Sequence, residues 1–347
     1  MTEKKQYYGL DIVKVILAVL VAERHIVQIY FDASSRWRIL LNNWLSNLAV
    51  PVFFTIAGFF LFRKLEAGKT EENRQHVFRY CGRILWMYVV WSVLYLPTDI
   101  KNWIADGNIT KAEVGSWLQS FFFCSTIPQL WYLPALALAC FLVWFAWEHG
   151  MKIWQILAVG GVLLLCGYFA DNWYFNRRFP EMIQMTVTAY RKIFITPRNG
   201  IFYGMFYLAL GLLFAKTSWR LPTWGALAGT FFFIWCMYRE VMHITDAGSN
   251  TNFVFFAAPA AYCLFTAASA VTLKPKKLYP RLRGMSEWIY LSHYYFFHIL
   301  GWTQKWNPIP FNSKSISAMI LTAVLVFSAA MVLWSEKKTG RWLKKII

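Results

Sequence analysis

The sequence predicts an all-α, polytopic integral membrane protein with about ten transmembrane helices. Of its 347 residues, 58% are hydrophobic, 19% are aromatic and only 15% are charged. About a quarter of the residues are charged in a typical soluble domain. Apolar runs close to the roughly 20 residues that cross a bilayer recur along the chain. Because no low-complexity linker or change in composition divides it, we expect residues 1–347 to form a single transmembrane domain.

Ten apolar segments are predicted to cross the membrane. They are residues 9–30, 44–62, 80–97, 129–147, 153–170, 200–215, 222–239, 252–273, 286–302 and 316–335. The stretch 112–127 is predicted as a helix on the outer surface instead. The first run is too long for the apolar core of a signal peptide and lacks a clear cleavage site, so we expect it to be retained.

The distribution of Lys and Arg predicts that both termini are cytoplasmic. With the N-terminus inside, the inner loops and tails hold 21 of the 35 basic residues and the outer loops hold 12, as the positive-inside rule requires. The formal charge of +18 therefore indicates orientation and contact with anionic lipid, not nucleic acid. The outer loop 171–199 is an exception with five basic residues, Arg198 among them. A long loop is partly exempt from the rule, and the other interpretation is a platform for an anionic envelope substrate.

The first predicted span carries ionisable residues along one face. Lys14 and His25 are separated by three helical turns plus about 20°, so they share a face about 16 Å apart along the axis. Asp11 lies one turn before Lys14, and small residues fill the middle of this face. An ionisable group at membrane depth costs about 2.5–3.5 kcal/mol, which favours a functional path across the bilayer. The alternative is a buried Asp11–Lys14 ion pair with a hydrogen-bonded core histidine. Arg24 is expected to snorkel outward.

Six stretches of the chain carry a family resemblance: GLDIVKVILAVLVAERH (9–25), PVFFTIAGFFLFRKL (51–65), VFRYCGRILWMYVVW (77–91), QLWYLPAL (129–136), RNGIFYGMFYLALGLL (198–213) and SEWIYLSHYYFFH (286–298). Together they resemble the membrane-bound acyltransferase family 3, whose members are integral membrane proteins that acylate surface polysaccharides and related envelope acceptors. In that family, Arg or Lys precedes His by ten intervening residues. Lys14 and His25 match this motif, with Lys in place of the commoner Arg, and Asp11 matches the acidic residue before it. Several stretches are similar to the membrane domains of vancomycin-resistance serine racemases.

The resemblance implies an O-acyltransferase, for groups other than aminoacyl groups, in the bacterial cytoplasmic (inner) membrane. It would move an acyl group, expected to be acetyl, from cytoplasmic acyl-CoA to a hydroxyl of an envelope or surface glycan. His25 is expected as general base, since the unperturbed pKa of histidine, about 6.5, lies near working pH; a covalent acyl-histidine stays open. Lys14, Arg79 and Arg83 are expected to hold the CoA phosphates. Arg79 and Arg83 share a helix face, and their other interpretation is positive-inside flanking.

The remaining candidates are pore or acceptor residues. Ser292 and His293 line the predicted pore or bond a neighbouring helix. Trp131, with Trp173 and Tyr174, belongs either to an interfacial aromatic belt or to a stacking surface for sugar rings. Pro134 is expected to kink the helix beside Trp131. Asp11 and Arg198 complete this set of candidates.

No permanently bound cofactor is predicted, and acetyl-CoA is expected as a donor substrate. The six cysteines show no metal-ligand spacing, so no metal is expected. The expected partners are acyl-CoA, a hydroxyl acceptor and the lipid bilayer, with a homo-oligomer left open. The alternative function is a transporter for a small polar molecule such as L-serine. A transporter should show Gly- or Pro-interrupted helices at corresponding positions of two halves, and the sequence shows no convincing symmetry of this kind.

Overall fold

The computed structural model describes residues 6–31, 39–40, 44–105, 110–172, 177–246, 250–306 and 313–347, and helices joined by turns are the only regular secondary structure among these residues. A 3-10 turn, Leu45–Leu48, leads into α2, and a π-helical turn, Gly200–Gly204, leads into α8. The predicted all-α class is confirmed. The twelve α-helices are α1 Tyr8–Tyr30, α2 Ala49–Phe62, α3 Thr70–Ala105, α4 Lys111–Phe123, α5 Tyr132–Glu148, α6 Ile153–Asp171, α7 Glu181–Phe194, α8 Met205–Lys216, α9 Thr223–Asp246, α10 Ala257–Ala270, α11 Leu278–Trp306 and α12 Ser313–Glu336.

Each of the ten predicted spans contains helical structure, although the predicted span 252–273 is helical only over Ala257–Ala270. Membrane-crossing length is shown for fewer. Among the described residues, three helical segments are long and apolar enough to cross a membrane: Leu45–Phe62, Ile153–Asp171 and Lys314–Glu336. Shorter apolar helices are found at Tyr132–Glu148, Gly200–Lys216 and Ala257–Ala270. The count of ten spans and the cytoplasmic position of both termini therefore stay predictions.

Large apolar side chains face outward on several helices. On α3 these include Trp86 and Val93, and on α9 they include Phe231 and Trp235, all of them more than half exposed. Soluble proteins rarely expose such contiguous apolar surface, whereas lipid tails are as apolar as these side chains. The exposed faces of α3 and α9 therefore fit contact with a bilayer.

The chain forms two compact units, here called unit A and unit B. Unit A comprises Met1–Phe53, Arg220–Tyr238 and Pro259–Ile347, and unit B comprises Phe54–Trp219 and Arg239–Ala258. In unit A, α1, α11 and α12 pack together. In unit B, α3 packs on α5, and α6 packs on α8 and the π-helical turn. The core of unit A includes Ala18, Ala22, Ile26, Ile289, Phe297, Ile316, Ile320 and Val324. The expected single transmembrane domain stays a prediction.

Two helices lie in segments predicted as surface or loop. The surface helix expected within 112–127 is α4, which begins with a capping box between Thr110 and Glu113. The predicted loop 171–199 contains α7, which sequence analysis missed because the helix is short and rich in polar residues. Its last turn holds Arg191 and Lys192, where cations interact favourably with the helix dipole.

Two helices of unit B approach closely at glycine. A Cβ atom added to Gly211 of α8 would lie 2.5 Å from both the Phe59 nitrogen and the Thr55 carbonyl oxygen of α2. A Cβ added to Gly58 of α2 would lie 2.5 Å from the Leu208 carbonyl oxygen of α8. Because these atoms belong to the backbone, they cannot turn away. Small residues at helix contacts allow this approach, as is common in membrane proteins.

Gly211→Ala is therefore expected to lower the free energy of unfolding by about 1–3 kcal/mol, because the helices must separate. The matched control is Gly82→Ala on the exposed face of α3, where an added Cβ meets nothing within 4 Å. That change should be neutral or stabilising by up to about 1 kcal/mol, since alanine favours the helix. Thermal denaturation of the purified protein in detergent measures both. Equal destabilisation by the two variants would contradict the α2–α8 contact.

Candidate active site

The ionisable face of α1 contacts α11 in unit A. Three pairs define this contact: Asp11 with Arg283, Lys14 with Glu287, and His25 with His293. The residue numbers rise together in the two helices, so α1 and α11 run parallel. This direction is expected if an odd number of spans separates them, as the ten-span prediction has it. Lys14 and His25 both face α11, which agrees with the face predicted from helical periodicity.

Asp11 and Arg283 form a bidentate ion pair. The Arg283 Nε donates to Asp11 Oδ1 at 2.8 Å, and an Arg283 terminal nitrogen donates to Asp11 Oδ2 at 3.0 Å. The Asp11 side chain is only 1% exposed, whereas that of Arg283 is 43% exposed. Two parallel hydrogen bonds fix this geometry. The Asp11–Lys14 pair considered from sequence is wrong, because each residue takes its partner from α11.

Lys14 pairs with Glu287 one turn further along. The Lys14 Nζ lies 3.6 Å from Glu287 Oε1, and the two side chains are 20% and 39% exposed. At this distance and exposure the pair is loose and solvated, and such pairs contribute about 0–1 kcal/mol. Lys14 therefore keeps an accessible ammonium group whose nearest acidic neighbour can be outcompeted by a stronger anion.

His25 lies within a cluster of aromatic rings from α11. Its ring stacks on His293 with centroids 5.3 Å apart and planes at 24°. Tyr294 meets His25 edge to face at 5.5 Å and 74°, and Tyr294 also contacts His298 at 5.4 Å. His25 itself is half-buried. The cluster holds the imidazole plane of His25 from two sides.

Ser292 and His293 do not act as a hydrogen-bonded pair. The Ser292 hydroxyl donates to the Trp288 carbonyl oxygen at 2.7 Å, and His293 Nδ1 bonds the Ile289 carbonyl oxygen at 2.8 Å. Because a carbonyl only accepts, His293 Nδ1 carries a proton, and in a neutral ring Nε2 is then an acceptor. His293 is fully buried, and its Nε2 has no hydrogen-bond partner in the described part of the chain. Such an acceptor is costly to leave unsatisfied, so a hydroxyl donor beside it would be favoured.

The middle of the α1 face is closed by packing. Ala18 and Ala22, which lie between Lys14 and His25, are fully buried against Ile289 and the rest of the unit A core. The predicted polar path is therefore sealed at its centre in this structure.

The prediction that Arg24 snorkels outward is wrong: its Nη1 donates to the side chains of Asn47 at 2.6 Å and Ser46 at 3.3 Å.

Arg79 and Arg83, the other predicted donor-binding residues, belong to unit B. Both are exposed on the first half of α3. The Arg79 Nε donates to the Gln75 carbonyl oxygen at 3.1 Å. Their role in holding the CoA phosphates stays a prediction.

Trp131 and Arg198 meet on the predicted outer side of unit B. The Arg198 guanidinium lies 5.4 Å from the Trp131 ring centroid, a cation–π geometry. Trp131 is 9% exposed and also contacts Tyr203, so the predicted open surface for sugar stacking is not exposed there. No carboxylate lies within ion-pair distance of Arg198 among the residues described.

Pro134 falls in the first turn of α5, where proline is tolerated without a kink. Trp173 and Tyr174 lie outside the described residues.

Three residues of this site were missed by sequence analysis: Arg283, Glu287 and Tyr294. Arg283 and Glu287 are four apart, so on a helix they share a face, and the same spacing argument that linked Asp11 with Lys14 could have found them. What the sequence lacked was any sign that α11, more than 250 residues away, lies beside α1. No cluster of three His, Cys, Asp or Glu residues in the described ranges could hold a metal ion.

Comparison with known proteins gives one family and several relatives. A family model described as an acyltransferase domain matches residues 7–335. The chain is 24% identical over 291 residues to a serine/alanine racemase of Enterococcus gallinarum, covering 83% of this chain and 40% of the relative. It is 25% identical over 349 residues to an amino-acid racemase of Enterococcus faecalis, covering 99% and 48%. The chain thus spans less than half the length of these relatives. No solved structure matches it.

Asp11→Asn is expected to lower the free energy of unfolding by about 1–3 kcal/mol, since the exposure of Arg283 screens part of the loss. The matched control is Glu336→Gln, which breaks an exposed bidentate pair with Arg281 between α11 and α12. The control should change stability less, because solvent replaces the lost partner. Thermal denaturation of both variants tests this, and a larger effect at Glu336 would contradict a stabilising role for the buried pair.

Proposed function

The chain belongs to the integral membrane acyltransferase family whose model covers residues 7–335, and from this premise we propose that it moves an acetyl group from cytoplasmic acetyl-CoA to a hydroxyl of an envelope glycan. The proposal places the protein in the bacterial cytoplasmic membrane with ten spans and both termini inside. In this scheme His25 is the general base. The donor binds at the cytoplasmic side and the acceptor at the envelope side.

The observation that carries the proposal is the ring cluster around His25. His25 is half-buried and stacked on His293, whose Nε2 is a buried acceptor without a donor among the described residues. A general base needs a ring held in one orientation beside a place where a hydroxyl can bind. The stack supports the first requirement, and the unsatisfied His293 nitrogen supports the second.

The reaction balances with one base. A ring nitrogen of neutral His25 takes the proton of the acceptor hydroxyl as its oxygen attacks the thioester carbonyl carbon. A C–O bond forms, the tetrahedral intermediate collapses, and the C–S bond breaks. The imidazolium then returns the proton to the CoA thiolate, so that His25 is neutral again. The products are the O-acetylated acceptor and free CoA.

The donor side of the proposal rests on cations. Lys14 has only a loose partner in Glu287 at 3.6 Å, so a phosphate can replace that carboxylate. Lysine meets a phosphate as a point charge and not as a bidentate fork. Arg79 and Arg83 are exposed on unit B and are proposed to contact the CoA phosphates independently of Lys14.

The acceptor side is proposed at Arg198 and Trp131. Arg198 has no carboxylate partner in the described residues, and its guanidinium lies against the Trp131 ring. A guanidinium held by a ring retains its donors for an anionic acceptor. Because Trp131 is mostly covered, we propose that it orients Arg198 and does not itself stack on a sugar.

The racemase names of the relatives are not carried over to this chain. Those proteins are more than twice as long as the aligned region, and their names describe the whole proteins. Their substrates include serine by name in one case, which keeps transport of L-serine as the result to test if acyl transfer fails.

Labelled acetyl-CoA tests the proposal directly. Wild-type protein in proteoliposomes should bind acetyl-CoA and consume the thioester when envelope glycan is supplied. His25→Ala should keep binding but turn over about 10²–10⁴-fold more slowly, because the general base is lost. If the wild type neither binds nor consumes any acyl-CoA, the proposal fails, and L-serine flux becomes the measurement.

The role of Lys14 has a matched test in its partner. Lys14→Gln should weaken acetyl-CoA binding about fivefold, and Glu287→Gln should strengthen it by a similar factor. Each change alters the charge that faces the donor, and we expect this to shift the binding free energy by about 1 kcal/mol. Equilibrium dialysis measures both. If both variants weaken binding, the Lys14–Glu287 pair supports the fold and does not bind the donor.

Substitutions of His293 and of Ser292 should have different effects on kcat. His293→Phe keeps a ring against His25 but removes the Nε2 acceptor, so kcat should fall about tenfold as the hydroxyl loses its position. The KM for acetyl-CoA should stay constant. Ser292→Ala is the control: its hydroxyl bonds only its own helix backbone, so kcat should change less than about twofold. Loss of activity in Ser292→Ala with none in His293→Phe would contradict this assignment.

A further inference from the structure

Unit B contains a cavity at the turn between α2 and α3, on the side predicted to be cytoplasmic. Its volume is about 260 Å³, and its lining includes Lys64, Lys69, His76 and Arg79 together with Glu66 and Glu72. Pockets that enclose drug-sized ligands measure roughly 300–1,000 Å³. This cavity therefore fits one polar headgroup and not a whole large ligand.

The charges that line the cavity do not cancel. Lys69 forms ion pairs with both carboxylates, with its Nζ at 3.0 Å from Glu66 Oε2 and 3.6 Å from Glu72 Oε2. Lys64 and Arg79 have no carboxylate within ion-pair distance in the described residues. Three cations against two carboxylates leave one net positive charge, and protonation of His76 would make it two. A dianion would balance the protonated lining.

The wall of the cavity is held in place. Buried Asn73 donates to the Glu66 carbonyl oxygen at 2.8 Å and accepts from the Glu66 amide at 3.1 Å. Asn73 Nδ2 also donates to Glu148 Oε2 at 3.3 Å. Gly68 completes the turn with a φ of +84°, where glycine carries no steric cost. A preformed turn loses little conformational entropy when an anion binds.

We propose that this cavity binds a phosphomonoester dianion through Lys64, His76 and Arg79. A phosphomonoester carries close to two negative charges and three acceptor oxygens at neutral pH. Lys64 and Arg79 supply charge-assisted donors, and protonated His76 supplies a third. Two sources can offer this group: the 3′-phosphate of CoA, an identity that rests on the proposed function, and the headgroup of a phosphomonoester lipid.

His76 gives the site a dependence on pH. Burial, and then the nearby charges of Lys64 and Arg79, lower the pKa of His76. A bound dianion favours the imidazolium, so binding should raise that pKa and strengthen as pH falls through it. Protonation of the phosphomonoester itself, with a pKa of about 6, weakens binding over the same range. A His76→Asn variant removes the first effect and keeps the second.

The first arm measures binding of CoA and of 3′-dephospho-CoA to the purified full chain in lipid-free detergent. Wild type should bind CoA about tenfold more tightly. His76→Asn and Lys64→Gln should each reduce this ratio to about threefold. The matched control is Arg74→Gln, which removes a charge from the same helix outside the cavity and is paired with Glu71. It should keep the wild-type ratio.

The second arm measures thermal stability in phosphatidylcholine vesicles that also contain phosphatidic acid or, as the phosphodiester control, phosphatidylglycerol. A preference for phosphatidic acid that disappears in His76→Asn identifies the lipid as the source. A CoA preference that disappears in the same variant identifies the donor. In either case the difference between wild type and His76→Asn should grow from pH 8 to pH 6, as His76 gains its proton.

The proposal is overturned if wild type distinguishes neither CoA from 3′-dephospho-CoA nor phosphatidic acid from phosphatidylglycerol. It is also overturned if Arg74→Gln changes these ratios as much as His76→Asn does. Acyl transfer can stand in that case, shown by equal turnover of acetyl-CoA and its 3′-dephospho form. A phosphatidic acid preference without any use of acyl-CoA would support the cavity while contradicting the proposed function.

Discussion

The structure of unit A depends on how the ionisable side chains of α1 are satisfied. A buried ionisable group costs free energy unless a protein partner compensates it. α11 supplies these partners in register, with Arg283 for Asp11 and Glu287 for Lys14. These contacts require α11 to run parallel to α1. Once that register is set, His25 meets His293, and the apolar residues between the two ends close into one core with α12.

The closed middle of the α1 face matters for the proposed chemistry. Ala18 and Ala22 separate the charged end at Lys14 from the ring cluster at His25. In this structure the apolar seal excludes water from the space between the two ends, and the proposed reaction requires these residues to separate so that the thioester arm of the donor reaches His25. Ser292 is an unsuitable nucleophile for a separate reason, because its hydroxyl is already bonded to the backbone of its own helix.

Unit B obeys the same constraint with different partners. Buried Asp171 accepts from Arg191 at 3.0 Å and from Asn252 at 3.1 Å, which ties the end of α6 to α7 and to the residues before α10. Glu240 accepts from the amides of Phe255 and Phe256 just before α10. By contrast, Arg198, Lys64 and Arg79 have no carboxylate within ion-pair distance in the described residues, and anion binding is proposed for these three.

The sequence by itself determined the all-helical class, the approximate positions of the apolar helices and the shared face of Lys14 and His25, because hydropathy and the 3.6-residue period are local properties; the polar helix α7 lacks the hydropathy signal and was missed. It also carried the family motif. Only the tertiary structure decided the partners of Asp11, Lys14 and Arg24, the cover over Trp131 and the stack of His25 on His293. Those outcomes join residues up to 272 positions apart. Local periodicity predicts which face a side chain occupies, but the helix that meets that face is chosen by packing and by the need to satisfy buried charge.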